Sequence, residues 1–472
     1  MSPTTNGQAG GLRVVVVGAG PAGTRAAETL VRHGLRPVVV DEAPQSGGQI
    51  YRRPPPVGGF TRGARALYGF EAVKATRLHR AFDEIRPQLD YRPATLVWEV
   101  EHGRLHCHRY ADGQRFALEW DALLLATGAT DRVLPVPGWT RPGVYSLGGA
   151  QIALKYQGCA IGQRVLFLGS GPLLYLVAYQ YAKAGAEVAG VLDTAPFGAK
   201  LRALPGLCRE TATFAKGLWY VAWLKAHGVP IVHGVRPIEI VGNGKVEGLA
   251  YASPYGMRHA RGDALALGWG LRAEAQLAEL AGCRLAFDDL NRQWLPERDR
   301  DGRAVGVSGI YLAGDGAGIA GADAAEAAGE LAALAILADH GIAISERRQF
   351  ALRRRLKRIR TFRRALETAF PFPAHLAVGL PDDAILCRCE AVTALDLRAS
   401  AGRLDATELN RAKAYCRAGM GRCQGRVCGP AAAEILAATL AKPVAEVGRF
   451  RAQPPVKPLP IGPLAEGEEA AP

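Results

Sequence analysis

Arg13-Val14-Val15-Val16-Val17 runs without a break into Gly18-Ala19-Gly20-Pro21-Ala22-Gly23. A run of β-branched residues reads as a buried strand. Three glycines at this spacing directly behind it leave the chain few choices. Gly18 permits a tight turn, Gly20 lets the backbone approach a pyrophosphate, and Gly23 lets the next helix pack close to the strand. Ala22 to Arg32 reads as that helix and Pro37 to Val40 as a second strand. The segment is therefore a βαβ unit whose helix N-terminus presents free N–H groups to phosphate. An acid belongs about twenty residues on, at the end of the second strand, to hold ribose hydroxyls. Asp41 stands there, with Glu42 beside it. A glycine-rich turn without a ligand is the alternative, but strand, helix and acid together favour a dinucleotide site. The motif alone does not choose between FAD and NAD.

Further along, Asp121 to Ala126 reads as a strand leading into Thr127-Gly128. A second βαβ unit starts at Arg164, with strand Val165 to Leu168, helix Leu173 to Ala184 and strand Glu187 to Leu192. Its turn, Gly169-Ser170-Gly171-Pro172-Leu173-Leu174, keeps the first two glycines and puts Leu174 at the third. Asp193 lies where a ribose would be held, and no arginine follows to favour a 2′-phosphate. Two readings stay open: a site for NAD or another adenine nucleotide, or a retained fold with an idle site. A later strand, Ile310 to Ala313, ends in Gly314-Asp315 and precedes an alanine-rich helix, Ala322 to Ala338. Two βαβ units this far apart imply two nucleotide-binding domains of the α/β class.

A chain of 472 residues, 49% hydrophobic and 22% charged, accommodates two to four globular domains. The net charge of +14 invites a nucleic-acid reading. Much of the excess, however, sits between Arg347 and Arg364. There Ser345 to Leu366 reads as a basic helix with Leu352, Leu356, Ile359 and Leu366 on one face, packed on protein. No nucleic-acid partner is expected. Met1 to Gly10 lacks an apolar targeting segment. The longest uncharged stretch, Val165 to Ala182, is broken by Gly169-Ser170-Gly171-Pro172, so no transmembrane segment is expected. Pro371, Pro373 and Pro381 suggest a linker, and the proline-rich tail after Arg451 reads as disordered or extended.

Nine cysteines, an odd number with four crowded near the C-terminus, do not form a secreted disulfide framework. A reducing cytoplasm is the expected setting. The crowded four are Cys387-Arg388-Cys389 and Cys423-Gln424-Gly425-Arg426-Val427-Cys428. Four thiolates hold a [2Fe-2S] cluster, and each close pair could clamp one side of it. Gly419, Gly421, Gly425 and Gly429 free the backbone to donate N–H bonds, and Arg388, Arg422 and Arg426 would offset the cluster charge. Structural zinc is the main alternative, although C-x-C is less usual there; a ligand-free module is another. Cys416, Cys107, Cys159, Cys208 and Cys283 read as small packed residues.

Gly47-Gly48-Gln49, Ala126-Thr127-Gly128 and Ile310-Tyr311-Leu312-Ala313-Gly314-Asp315 join the first glycine motif in a set. Over about Leu12 to Gly341 this set resembles the two-dinucleotide-binding-domain flavoproteins of the glutathione-reductase type. The resemblance implies FAD at Gly18, Gly20, Gly23, Asp41, Glu42, Gly48, Gln49, Thr127, Gly128, Gly314 and Asp315. It also implies a second nucleotide site at Gly169, Gly171 and Asp193. No cysteine pair follows Asp41 and Cys159 has no partner two residues away, so a dithiol relay is not expected.

The cysteine stretch, with Gly419-Met420-Gly421-Arg422 ahead of Cys423, resembles the bacterioferritin-associated-ferredoxin type of [2Fe-2S] domain, with Cys387, Cys389, Cys423 and Cys428 as ligands. More specifically, it is similar to the version fused behind an FAD domain in the A or alpha subunits of opine oxidases. D-hydroxyproline dehydrogenase and the B subunit of hydrogen cyanide synthase share the architecture. Expected boundaries are 12–140 and 288–344 for the split FAD domain, 141–287 for the second nucleotide domain, 345–380 for the basic helix and linker, 381–440 for the cluster domain and 441–472 for the tail.

These families imply an electron-transfer subunit of a heteromeric dehydrogenase acting on an amino acid, opine or similar secondary amine. The implied partner is a D-amino-acid-oxidase-like flavoprotein subunit, joined by a small ferredoxin-like subunit, with any membrane association made through them. No catalytic residue is assigned to this chain; histidines such as His33 and His106 read as structural or exposed. A stand-alone NADH-dependent reductase and a nucleotide-binding scaffold without turnover remain as alternatives. Replacing Cys423→Ser is expected to abolish the cluster's visible absorbance and EPR signal while FAD stays bound. Stoichiometric zinc without iron or sulfide in an anaerobic preparation would refute the ligand assignment.

Overall fold

The computed structural model describes residues 11–55 and 62–460. Met1 to Gly10 and the last part of the tail, 461–472, lie outside the described residues. Two parallel five-stranded sheets organise the chain. In the first, Ile310–Leu312, Ala122–Leu125, Val14–Val17, Val38–Val40 and Asp90–Arg92 lie side by side in that order. Val14–Val17 is buried along its whole length, as a central parallel strand covered on both faces must be. One face carries helix Pro21–Arg32 and, crossing it, helix Ala322–Asp339. A Cβ at Gly329 would lie 1.9 Å from the carbonyl oxygen of Ala22, so only glycine lets these helices meet. The antiparallel sheet Thr95–Glu101, Arg104–Arg109, Arg115–Glu119 covers the other face through Val97, Val100 and Leu105.

The second sheet runs Ile231–His233, Glu187–Asp193, Arg164–Ser170, Ala264–Trp269, Val144–Ser146. It is inserted in sequence between two neighbouring strands of the first. Ala129–Asp131 carries the chain out, Leu271–Ala273 brings it back, and the two pair antiparallel. Helices Pro172–Lys183 and Thr211–Ala226 cover one face of this sheet. On the other face Leu166, Leu168, Leu265 and Leu267 share one core with Leu386, Leu397, Ile435 and Leu436. The cysteine-bearing domain is thereby packed directly on the second unit. Its helix Ala394–Leu404 starts from a reciprocal cap between Thr393 and Asp396.

Ser345 caps the basic helix Glu346–Ala369. Leu352 packs on the first unit, and Phe362 and Ala369 pack on Ala203 and Leu207 of the second. Five of its nine arginines are paired within the chain: Arg353 grips Asp301 at 2.6 and 2.6 Å, and Arg358 meets Glu210 at 2.6 Å. Residues 371–381 do not hang free as a linker. Helix Ala374–Val378 buries Ala377, and Phe372 lies under the Arg132 guanidinium. The tail from Arg451 to Pro460 has no helix or strand and lies across the first unit, with Val456 buried and its N–H bonded to the Trp98 carbonyl. No helix among the described residues is long and apolar enough to cross a membrane.

Glycine to alanine inside a helix ordinarily stabilises it by about 1 kcal/mol. Gly329→Ala is expected to do the opposite, because overpacking costs about 1–3 kcal/mol. Thermal unfolding should show a lower midpoint, accompanied by faster loss of FAD.

Candidate cofactor sites

The predicted FAD residues converge at the carboxyl ends of the first sheet's strands, where open α/β sheets bind ligands. Gly18 follows Val14–Val17 with φ +105, and its N–H bonds Val40 at 2.7 Å. A Cβ at Gly23 would sit 1.7 Å from the Gly18 carbonyl oxygen, and one at Gly48 2.9 Å from the Gly20 Cα. Gly20 has no other neighbour within 4 Å of its missing Cβ, and no side chain caps the helix that starts at Pro21. The result is a backbone-lined cradle with free amides, which fits a dinucleotide pyrophosphate.

Thr127-Gly128 and Gly314-Asp315 meet at the cradle's far side, where a Cβ on Gly316 would lie 2.4 Å from Thr127 Oγ1. Asp315 Oδ1 accepts the N–H groups of Ala320 and Gly321. Gln49 accepts from Arg52 at 2.7 Å. Asp41 turns inward. Its carboxylate accepts the Ala19 N–H at 2.5 Å and the Ala43 N–H at 2.7 Å, tying the glycine turn down. Burial pushes its pKa up to about 6. Glu42 points out to Lys457 and Tyr110. Lys155, which no motif marks, reaches the Tyr68 ring from the turn Ala153–Gln157. It is 7% exposed, has no carboxylate partner among the described residues, and burial pulls its amine down to about 8.

In the second unit, Gly169 is required, since a Cβ there would lie 1.7 Å from the Gly268 carbonyl oxygen. Gly171 faces open space. Leu174 is fully buried among Phe167, Tyr175 and Ala178. Asp193 is also fully buried, and both its oxygens are engaged. One accepts the Ala195 N–H at 2.8 Å; the other accepts from Lys200 at 2.5 Å and from the Tyr175 hydroxyl, with His233 at 3.6 Å. Burial would raise this carboxyl, but His233, Lys200 and Tyr175 hold it below its ordinary range.

The four C-terminal cysteines gather around the turn Gly419–Cys428, pairing across the motif rather than along it. The Cys387 thiol lies beside Cys428, and Cys389 beside Cys423. Cys387 is drawn down to about 5, first by its bond from Cys428 and further by the amides of Gly419, Glu390 and Cys389. Cys428, the donor, is pushed up. Four thiols within electrostatic reach of one another, with backbone amides turned to sulfur, fit a two-iron cluster. Cys416 stands aside, half-buried.

The flavin-type and thiol sites are physically joined. Thr127 donates to the Glu274 carbonyl at 2.5 Å, and the Glu274 N–H donates to Gly128 at 3.0 Å. The Glu274 carboxylate then holds Arg426, inside the cysteine turn, at 2.7 and 3.1 Å. Arg272 Nη1 donates to the Arg426 carbonyl at 3.0 Å, and Gln276 to that of Gln424 at 3.1 Å. No motif announces Glu274 or Arg272. Their role exists only because the returning strand Leu271–Ala273 lies between both loops.

An interrupted FAD-type unit, a second nucleotide-type unit and a four-thiol domain define a flavoprotein oxidoreductase with an appended iron–sulfur domain. The signature of the pyridine nucleotide-disulphide oxidoreductases matches residues 12–338, and that of the BFD-like [2Fe-2S] binding domain matches residues 385–438. The A subunit of opine oxidase from Agrobacterium tumefaciens (strain Ach5) is 40% identical over 96% of this chain and 91% of its own. Hydrogen cyanide synthase subunit HcnB of Pseudomonas aeruginosa is 34% identical over 95% of this chain and 97% of its own. The crystal structure of L-proline dehydrogenase from P. horikoshii shares the fold, with a TM-score of 0.68 at 20% identity over 96% of this chain and 79% of that one. The chain thus belongs to the pyridine nucleotide-disulphide oxidoreductase family and, within it, to the group of opine oxidase A subunits and HcnB.

Restoring the third glycine with Leu174→Gly is expected to cost about 2–5 kcal/mol for the lost core side chain and about 1 kcal/mol for glycine in a helix. It should bring no gain in NADH affinity, because Asp193 stays engaged. Denaturant unfolding and NADH fluorescence titration of the variant check both halves.

Proposed function

We propose that this chain is the electron-transfer subunit of a heteromeric dehydrogenase that oxidises an amino acid, opine or similar secondary amine. The observation that carries the reading is the direct bridge from the Thr127-Gly128 loop, through Glu274, to the Cys423–Cys428 turn. Bound FAD takes up electrons in pairs and releases them singly, and a [2Fe-2S] cluster carries them one at a time. Gly18, Gly23 and Gly48 let the turn pack closely and leave Gly20 open to the dinucleotide, and the free amides ahead of helix Pro21–Arg32 face its phosphates. Cys387, Cys389, Cys423 and Cys428 hold the cluster, and nearby amides steady their negative charge. The names of the relatives, each a subunit, support a multi-chain enzyme. Amine oxidation belongs to a partner flavoprotein resembling D-amino-acid oxidases, with a small ferredoxin-like subunit completing the complex in the cytoplasm.

A stand-alone NADH-dependent reductase draws on the open Gly171 and the uncapped helix behind it. Leu174 and the occupied Asp193 carboxylate weigh against it, and leave the second unit without a nucleotide in our reading. Anaerobic NADH added to the purified holoprotein is expected to leave the flavin oxidised. Adding amine substrate to the co-purified complex should bleach it. Rapid bleaching at micromolar NADH would establish the reductase instead, and a flavin that substrate plus partner cannot reduce would establish a scaffold.

A further inference from the structure

We propose that Arg272, Glu274 and Arg426 act as positioning residues that fix the cysteine turn against the flavin loop and set the reduction potential of its cluster. The proposal rests on the reading that FAD and cluster share electrons on this chain. Glu274 and Arg426 are each only 11% exposed at the side chain, and they join segments 152 residues apart. Arg426 reaches past Glu274 to donate to the Val456 carbonyl at 2.6 Å, and Gln424 donates to that of Pro455 at 3.0 Å. The tail therefore straps the same turn from another side.

Charge makes this more than a clamp. Arg272 has no carboxylate within ion-pair distance among the described residues, and it lies within coulombic reach of Cys423 and Cys428. Arg426 is ion-paired with Glu274, so the Arg272 guanidinium stands beside the thiol site without a carboxylate of its own. Lys413, also buried, lies within electrostatic reach of Cys428 and of Glu279. A cluster held by these four thiolates would be anionic, and an electron passed to it from reduced FAD would add one negative charge without making or breaking a bond. Fixed cations in a buried site favour that added charge, and a fixed carboxylate opposes it. Charge and hydrogen bonding around the sulfurs are what set such potentials.

Signs follow for each residue. Glu274→Gln keeps the shape and removes the opposing charge, so the cluster's midpoint should rise. Arg272→Met and Arg426→Met each remove a cation, so the midpoint should fall. Arg426→Lys keeps the charge and should return it most of the way. An effect of about tenfold in the reduction equilibrium corresponds to about 59 mV for a one-electron couple. The measurement is dye-equilibrium potentiometry followed by EPR on the holoprotein, with iron, sulfide and FAD content determined for every variant. If Arg426→Met loses its cluster, Glu274→Gln and Arg272→Met, both outside the turn, carry the opposite-sign test. Variants that all shift the same way, or do not shift, overturn the inference while leaving the electron-transfer function standing. A holoprotein with zinc and no iron overturns both.

Discussion

Everything distinctive in this molecule hangs on one antiparallel pairing, Ala129–Asp131 with Leu271–Ala273. It is the point where the chain leaves the first sheet and the point where it returns. Its outward strand begins just behind Thr127-Gly128, and its returning strand delivers Arg272 and Glu274 to the cysteine turn. If these few residues were paired in another register, alternate side chains would face the wrong way, and the flavin loop and the thiols would lose their common neighbour. Arg132 reinforces the crossing by donating to the carbonyls of Asn291 and Leu271.

The formal charge of +14 is similarly deceptive until the partners are known. Arg353 is held by Asp301, Arg292 by Glu434 and Arg25 by both Glu28 and Glu326. Partly buried pairs of this kind add little net stability, since desolvation offsets attraction. They do dictate which surfaces meet, because separating one strands a charge. On the basic helix, Arg348, Arg353, Arg355, Arg358 and Arg363 are matched in this way by acids of the same chain.

What could be read from the sequence was what is local. The turn at Gly18-Ala19-Gly20, the strand–turn–helix of Gly169 to Lys183 and the apolar face of the basic helix depend on residues a few positions apart. Where a feature depends on distant segments, the sequence was silent or pointed elsewhere. Cys387 lies beside Cys428 across forty-one positions, a distance over which no local pattern speaks. Asp193 sits where a ribose acid belongs, yet Lys200 and His233 reach it from a helix and a strand that spacing alone does not aim. The prolines at 371 to 381 signalled a break, and the break was real, but Phe372, Ala377 and Leu380 give the segment enough apolar surface to dock.

The strand order of the first sheet also dictates a sequence of events during synthesis. Ala122–Leu125 lies between Val14–Val17 and Ile310–Leu312, and Gly329 closes the helix crossing above them. Val14–Val17 has both its strand neighbours within the first 125 residues, but the outer edge of Ala122–Leu125 stays open until more than three hundred residues have been made. The strands of the inserted unit, Val144 to Trp269, are contiguous, yet one face of their sheet is covered only when Leu386, Leu397, Ile435 and Leu436 arrive. Both sheets thus wait for the C-terminal part of the chain, and the nascent protein must carry uncovered apolar surface until then.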